Sequence, residues 1–205
     1  MSLISRKILC MAGCLFFFAA IAGCATTGKK VTVLYQPVVN ATGGSGELYL
    51  ASASGRPDAG KPGVVQWVIG KVKNSDGDTV GDVVSPMAPG DIFQDALNRE
   101  LTNAGYKVAR VESLPAGVER GLFVTMTNIN LDDVSSIIKD EGSGRISMSL
   151  ELWKNGKAFK KLYYESGYSD FAVKDRDLLL QDILQKSLQS LMKQAVPEII
   201  KELGK

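Results

Sequence analysis

Residues 145–153 alternate without a break: Ile146, Met148, Leu150 and Leu152 fall on one side, and Arg145, Ser147, Ser149 and Glu151 on the other. A period of two is that of a strand with one dry and one wet face, and it cannot be satisfied by a helix, whose period is about 3.6 residues. Asn155-Gly156 follows directly, and both residue types tolerate the positive φ that a two-residue hairpin turn requires. Residues 158–168, with Phe159, Leu162, Tyr163 and Tyr164, therefore read as the return strand. Lys160-Lys161 interrupts its alternation and leaves its buried face open. A hairpin of this kind must bury its apolar side against something else in the chain.

Two amphipathic helices can provide that cover. Residues 91–104 place Phe93, Ala96, Leu97, Leu101 and Ala104 on one face, with Asp95, Asn98, Arg99, Glu100 and Asn103 on the remainder. Pro89 and Asp91 suit its start and Gly105 its left-handed end. Residues 177–203 carry a stripe of Leu180, Leu184, Leu188, Leu191, Ala195 and Ile199, flanked by Ile183, Met192 and Ile200. Pro197 removes a helical hydrogen bond, which predicts a kink or break about one turn earlier. Lys186, Lys193 and Lys201 are balanced by Asp182, Glu198 and Glu202, and no Trp or Phe marks an interfacial face, so this helix is expected to dock on the sheet.

The other strands are read from β-branched runs and turn residues: 31–35, 64–73, 79–84, 106–110 and 122–131. In the last of these Leu122, Val124 and Met126 oppose Phe123, Thr125 and Thr127. Asp76-Gly77 marks the hairpin between the second and third runs. Residues 40–63 are rich in Gly, Ser, Ala and Pro and read as loop, apart from a brief pairing at Leu48-Tyr49-Leu50. Strands in hairpins with two segregated helices predict an α+β fold: a two-layer sandwich, mainly antiparallel, with both helices packed on one face of the sheet.

Two motif matches lose their chemistry on inspection. Residues 55–61 fit the first positions of a phosphate-binding loop, but Pro62 lacks both the hydroxyl and the N–H needed next, and a strand follows. Asn74, Asp76 and Asp78 suggest a calcium loop, yet Thr79 stands where glycine is needed and Ser85 where the closing glutamate belongs, so they read as a turn. The chain contains no histidine, which excludes Ser-His-Asp and Cys-His nucleophile systems and the most frequent transition-metal ligand. Carboxylate pairs remain at Asp132 and Asp133, Asp140 and Glu141, and Asp175 and Asp177, each in a polar, turn-like or helix-starting context. No catalytic residue, metal ligand or cofactor is predicted. Trp153, Tyr163, Tyr164, Tyr168 and Phe171 could line a groove, but cross-strand packing is the expected role.

The N-terminus has a different character. Arg6 and Lys7 precede an uncharged apolar run over 8–22 that is too short for the roughly 20 residues of a spanning helix. The run ends in Ile21-Ala22-Gly23-Cys24, which resembles the lipobox of bacterial lipoproteins. The resemblance implies that Cys24 receives a thioether-linked diacylglycerol, that residues 1–23 are cut away as a signal peptide, and that the new N-terminus is acylated. Residues 24–30 would then be a lipidated tether and 31–205 a single periplasmic domain. Cleavage removes Arg6 and Lys7 and no acidic residue, which makes the 24 Lys plus Arg of the full chain equal to its 22 Asp plus Glu. Without a basic surplus no nucleic-acid partner is expected. Cys10 and Cys14 leave with the signal, so Cys24 is the only thiol retained and the domain can hold no disulfide. Ala25 and Thr26 are not the aspartate that resembles an inner-membrane retention signal, so outer-membrane delivery is expected in a diderm source.

The lipobox, the string DIFQDALNRELTNAGYKV, the Asn-Gly hairpin and the closing amphipathic helix together resemble the YajG-like family of bacterial lipoproteins. The resemblance covers roughly residues 64–203. It implies no enzymatic activity and transfers no functional residue except the lipidated Cys24. The expectation is a lipid-anchored, non-enzymatic binding or assembly module with an envelope protein as partner. The alternative is an auxiliary lipoprotein of an ABC-type lipid transport system with phospholipid as ligand, since such lipoproteins also place a helix, Gly-Tyr and a strand after a lipobox. An envelope hydrolase would require two carboxylates facing each other across a cleft.

Overall fold

The computed structural model describes residues 28–53 and 66–204. In chain order the elements are β1 (Lys29–Lys30), β2 (Glu47–Ser52), β3 (Trp67–Lys73), β4 (Thr79–Ser85), α1 (Pro89–Asn103), β5 (Lys107–Val111), β6 (Arg120–Ser135), β7 (Asp140–Lys154), β8 (Lys157–Ala172) and α2 (Leu179–Leu203). A single 3-10 turn, Arg176–Leu178, leads into α2. The fold is α+β, with one eight-stranded sheet.

β6 organises the sheet. One of its edges pairs along its whole length with β7, antiparallel, and β7 pairs in turn with β8. The other edge takes two parallel partners in succession: β2 beside residues 121–124 and β3 beside residues 131–134. β5 extends the first branch and β4 with β1 the second. The sheet is therefore mixed, which corrects the mainly antiparallel arrangement expected from the hairpins. Hairpins are legible locally, whereas β2 pairs with strands some 60 to 70 residues further along the chain, and no local pattern records that. Leu48-Tyr49-Leu50 accordingly lies inside a central strand rather than a brief pairing.

The expected hairpin turn is present: Asn155 and Gly156 have φ of 51° and 74°, the signature of a type I′ turn. β7 buries Ile146, Met148, Leu150 and Leu152. On β6 the buried set changes parity, because a bulge between Val124 and Met126 moves it from Leu122 and Val124 to Ile129, Leu131 and Asp133. Helix α1 contacts β2, β5 and β6, while α2 contacts β6, β7 and β8, and the helices touch each other. Phe93, Ala96, Leu97 and Leu101 are buried on α1, and Leu180, Ile183, Leu184, Leu188, Leu191, Ala195 and Ile199 on α2. Glu100, assigned by its spacing to the polar side of α1, is fully buried. Pro197 does not break α2, since the residue and Lys193 one turn before it are exposed and the freed carbonyl can be hydrated.

Two close approaches fix the packing. A Cβ on Gly144 would lie 2.8 Å from Ile183 Cγ2 and 2.9 Å from Leu131 Cδ2, so the bare backbone of β7 lets α2 settle onto it. At the end of α1, Gly105 takes φ of 110°, and its Cβ would meet Gly44 O at 2.5 Å. Gly44 N donates to Ala104 O at 2.9 Å, which ties the glycine-rich approach to β2 onto the end of that helix.

Candidate functional site

The expected strand 31–35 is extended chain with Val31, Val33 and Tyr35 buried. Its ladder lies just before it, where Lys29 and Lys30, the last two residues of the segment read as tether, pair with Val83 and Val84 of β4. Lys29 then enters a buried charge cluster. Its Nζ is 2.7 Å from Asp133 Oδ2 and 2.7 Å from Asp140 Oδ2, and both carboxylates are buried. Asp133 ends the inward row of β6 and Asp140 opens β7, so the two flank the turn joining these strands. Ser135 Oγ adds a bond to Asp133 Oδ2 at 3.1 Å. Burial lowers the Lys29 pKa, but its bonds and charge interactions with Asp133 and Asp140 outweigh that, and the ammonium is held above the usual lysine range.

Arg176, from the turn before α2, closes the cluster. Its guanidinium donates to Ser136 O at 2.9 Å, Ile137 O at 3.2 Å and Ile138 O at 2.5 Å, and reaches Asp140 Oδ1 at 3.4 Å. One side chain thus binds the carbonyls of the β6–β7 turn to the start of α2. Chemically the cluster is a clamp. Its carboxylates are engaged by cations inside the fold and do not face each other across an open cleft.

The pairs named from sequence are distributed differently from their expected turn-like contexts. Asp132, Asp133, Asp140 and Glu141 all lie in strands, because β6 and β7 run several residues beyond their alternating apolar stretches. Asp132 points to the opposite face from Asp133 and pairs with Lys73 at 2.9 Å, and Glu141 pairs with Lys139. Asp175 and Asp177 flank Arg176, and Asp175 has φ of 52°. Among the described residues no group of His, Cys, Asp or Glu could hold a metal ion. The turn at 74–78 is as expected: Asn74 Oδ1 accepts from Asp76 N at 3.0 Å and Asp78 N at 2.8 Å. Cys24, the lipobox, the signal segment and the loop 55–62 lie outside the described residues.

The aromatic residues do not gather. Tyr163 points outward from β8, while Tyr164 points inward and donates to Glu198 Oε2 of α2 at 2.8 Å. Burial, then the bond to Glu198, raises the Tyr164 phenol pKa, and Glu198 is held below the usual carboxylate range by Lys160 and Tyr164. Lys160 therefore belongs to the helix side, at 2.9 Å from Glu198, and Lys161 to the exposed face. Tyr168 sits under Lys186, 4.6 Å from the ring centre, and Phe171 under Lys139 at 5.8 Å. Trp153 is at the other end of the sheet.

A second buried polar site was not legible in the sequence. Glu100 Oε1 accepts from Tyr35 OH at 2.5 Å and Val38 N at 2.8 Å, and Oε2 from Val39 N at 3.1 Å. It stitches the segment after β1 to α1. Three open depressions formed by described residues lie on the surface rather than between sheet and helices. One, of about 620 Å³, is lined by Asn130, Asp132, Arg145, Tyr168 and neighbouring Ser and Gly residues.

No family model matches the sequence, and no curated protein is significantly similar to it. Among solved structures the chain is similar to a DUF330-family protein of Xanthomonas campestris, with a TM-score of 0.57 at 12% identity over 85% of this chain and 95% of that one. That likeness shows a shared fold. A neuraminyllactose-binding hemagglutinin homolog of Helicobacter pylori aligns with a TM-score of 0.46 at 9% identity, over 85% of this chain and 97% of that one. A minor lipoprotein of Acinetobacter baumannii aligns with a TM-score of 0.36 at 10% identity, over 80% of this chain and 92% of that one. Likenesses of that size carry no argument here. No helix of the described residues is long and apolar enough to cross a membrane.

Proposed function

We propose that this chain is a lipid-anchored bacterial envelope lipoprotein whose α+β domain acts without enzymatic chemistry. Residues 1–23 serve as a signal peptide, Cys24 carries the lipid, and the domain binds or helps assemble an envelope protein in the periplasm. The observation that carries this is the lipobox Ile21-Ala22-Gly23-Cys24 at the end of a short apolar run. Lys29, at the fifth position after Cys24, is fixed between two buried carboxylates, so the packed domain begins within a few residues of the proposed anchor. At roughly 0.8 kcal/mol per buried methylene, two or more acyl chains anchor such a domain stably. The YajG-like resemblance and outer-membrane delivery belong to the same reading and rest on the sequence.

The test is Cys24→Ser. The variant should fold, incorporate no lipid and, once residues 1–23 are removed, leave the membrane fraction. A Cys24→Ser protein that is correctly cleaved and still membrane-bound contradicts the reading.

The transport-auxiliary reading has one observation in its favour. Phe159, Tyr163 and Phe171 lie along the outward face of β8 and are exposed, on a side of the sheet that neither helix covers. A photo-crosslinker at Tyr163 separates the two readings. A phospholipid adduct favours transport, and a single protein adduct favours assembly.

A further inference from the structure

The strand directions bring several features to one rim of the molecule. β1 is parallel to β4, β4 is antiparallel to β3, and β3 is parallel to β6, so the chain enters β1 at the end where β6 turns into β7. The end of β8 and the start of α2 are at the same rim. Of the large apolar side chains that the described residues expose, Ile137, Ile138, Phe171, Val173 and Leu178 gather here, with Ile137 99% and Ile138 75% accessible.

We propose that this rim, led by Ile137 and Ile138, inserts into the headgroup region of the phospholipid bilayer that holds the lipid on Cys24. The proposal rests on the lipoprotein reading above. Chain length supplies the first argument. Four residues lie between Cys24 and Lys29, and the five residue steps, fully extended, reach at most about 18 Å. Lys29 Nζ is bonded to Asp140, which opens the strand directly after the isoleucine turn. The anchor therefore holds this rim close to the lipid surface whatever path the tether takes.

The turn itself supplies the second argument. A backbone entering an apolar medium must satisfy its polar groups internally. Arg176 takes the carbonyls of Ser136, Ile137 and Ile138, while Ser136 N and Oγ both donate to Lys139 O and Ser136 Oγ accepts from Lys139 N. The carbonyls of the turn are thus engaged from within the fold, and two isoleucines are presented outward. Acidic and basic residues are interspersed around the rim, so the attraction is apolar rather than electrostatic and is expected to persist at high salt.

The native tryptophans make this measurable. Trp67 opens β3 and Trp153 ends β7, both at the strand ends facing away from the rim. In lipidated full-length protein reconstituted into phosphatidylethanolamine–phosphatidylglycerol vesicles doped with brominated phosphatidylcholine, the fluorescence added by Ile138→Trp should be quenched relative to bromine-free vesicles, as expected of a side chain at the headgroup boundary. Ile137→Trp is the second probe, and Lys157→Trp, in the hairpin at the opposite end of the sheet, is the control that should not be quenched. Rim tryptophans quenched no more than that control overturn the proposal. Rim tryptophans hidden from both bromolipid and aqueous iodide also overturn it, because the occupant is then a protein or a second copy. The mass of the Cys24 peptide from the same sample separates the two claims: an unmodified cysteine removes the lipoprotein reading and this proposal together, whereas a lipidated one with unquenched rim probes removes only this proposal.

Discussion

Lys29 Nζ lies 2.7 Å from Asp133 Oδ2, a carboxylate with no solvent exposure, and this contact fixes the chain's entry into the sheet to the far end of β6. Asp133 alone would be an uncompensated buried charge. Lys29→Met leaves both Asp133 and Asp140 without their ammonium, and breaking a buried pair from one side costs about 3–5 kcal/mol. Urea unfolding should show that loss, and Lys29→Arg should recover part of it. A Lys29→Met protein as stable as the parent would mean that the cluster is not a clamp.

Glu100 is the corresponding tie on α1. Glu100→Ala leaves the Tyr35 hydroxyl and the amides of Val38 and Val39 without their acceptor, at a cost of more than about 3 kcal/mol. Tyr35→Phe removes one bond and should cost about 1–2 kcal/mol. Denaturant midpoints of the two variants should rank in that order.

Stability should fall at high pH for an identifiable set of groups. Burial first, then Glu100, raises the Tyr35 pKa, and burial with Glu198 does the same for Tyr164, while the Lys29 ammonium is also held above its usual range. Raised values mean that the contribution is complete below the unfolded pKa values near about 10 and disappears as pH climbs through the folded ones. Tyr35 and Tyr164 should therefore show no phenolate absorbance until the circular dichroism signal is lost. Phenolate formation from both in the folded protein would contradict the assignment.

The acid side should be shallower. Asp170 is lowered chiefly by its bond to Lys186, and Glu198 by its bond to Lys160, so their contributions hold above the usual carboxylate range and are lost as pH falls through the lowered values. Both groups are close to solvent and worth little. Glu198→Gln should flatten the acid limb of the stability curve and, because Glu198 also helps raise the Tyr164 pKa, weaken the alkaline limb as well.

Helix docking is tested at Gly144. A valine there places its side chain against Ile183 and Leu131 and should cost about 1–3 kcal/mol by overpacking. Gly144→Val with Ile183→Ala should recover part of that loss.

Local patterns in the sequence carried the hairpin at Asn155-Gly156, the buried face of β7 and the apolar stripe of α2, because each depends on neighbours a few residues away. The parallel pairing of β2 was hidden, since its partners are distant in sequence and its flanks are glycine-rich. The clamp was hidden for a different reason. Asp133 and Asp140 have turn composition, yet β6 and β7 extend past them, and only the return of Lys29 from over a hundred residues upstream makes their burial affordable. Helical spacing alone puts Glu100 on the polar side of α1, but the segment at 35–39 covers what would otherwise be the solvent side of that helix.

The measurement that bears most directly on this account is the mass of the N-terminal peptide of the protein extracted from membranes of its native host. A peptide beginning at Cys24 and carrying a diacylglyceryl group plus an N-acyl chain is the expected result. A membrane-extracted chain that retains residues 1–23, or one that begins at an unmodified Cys24, would contradict it.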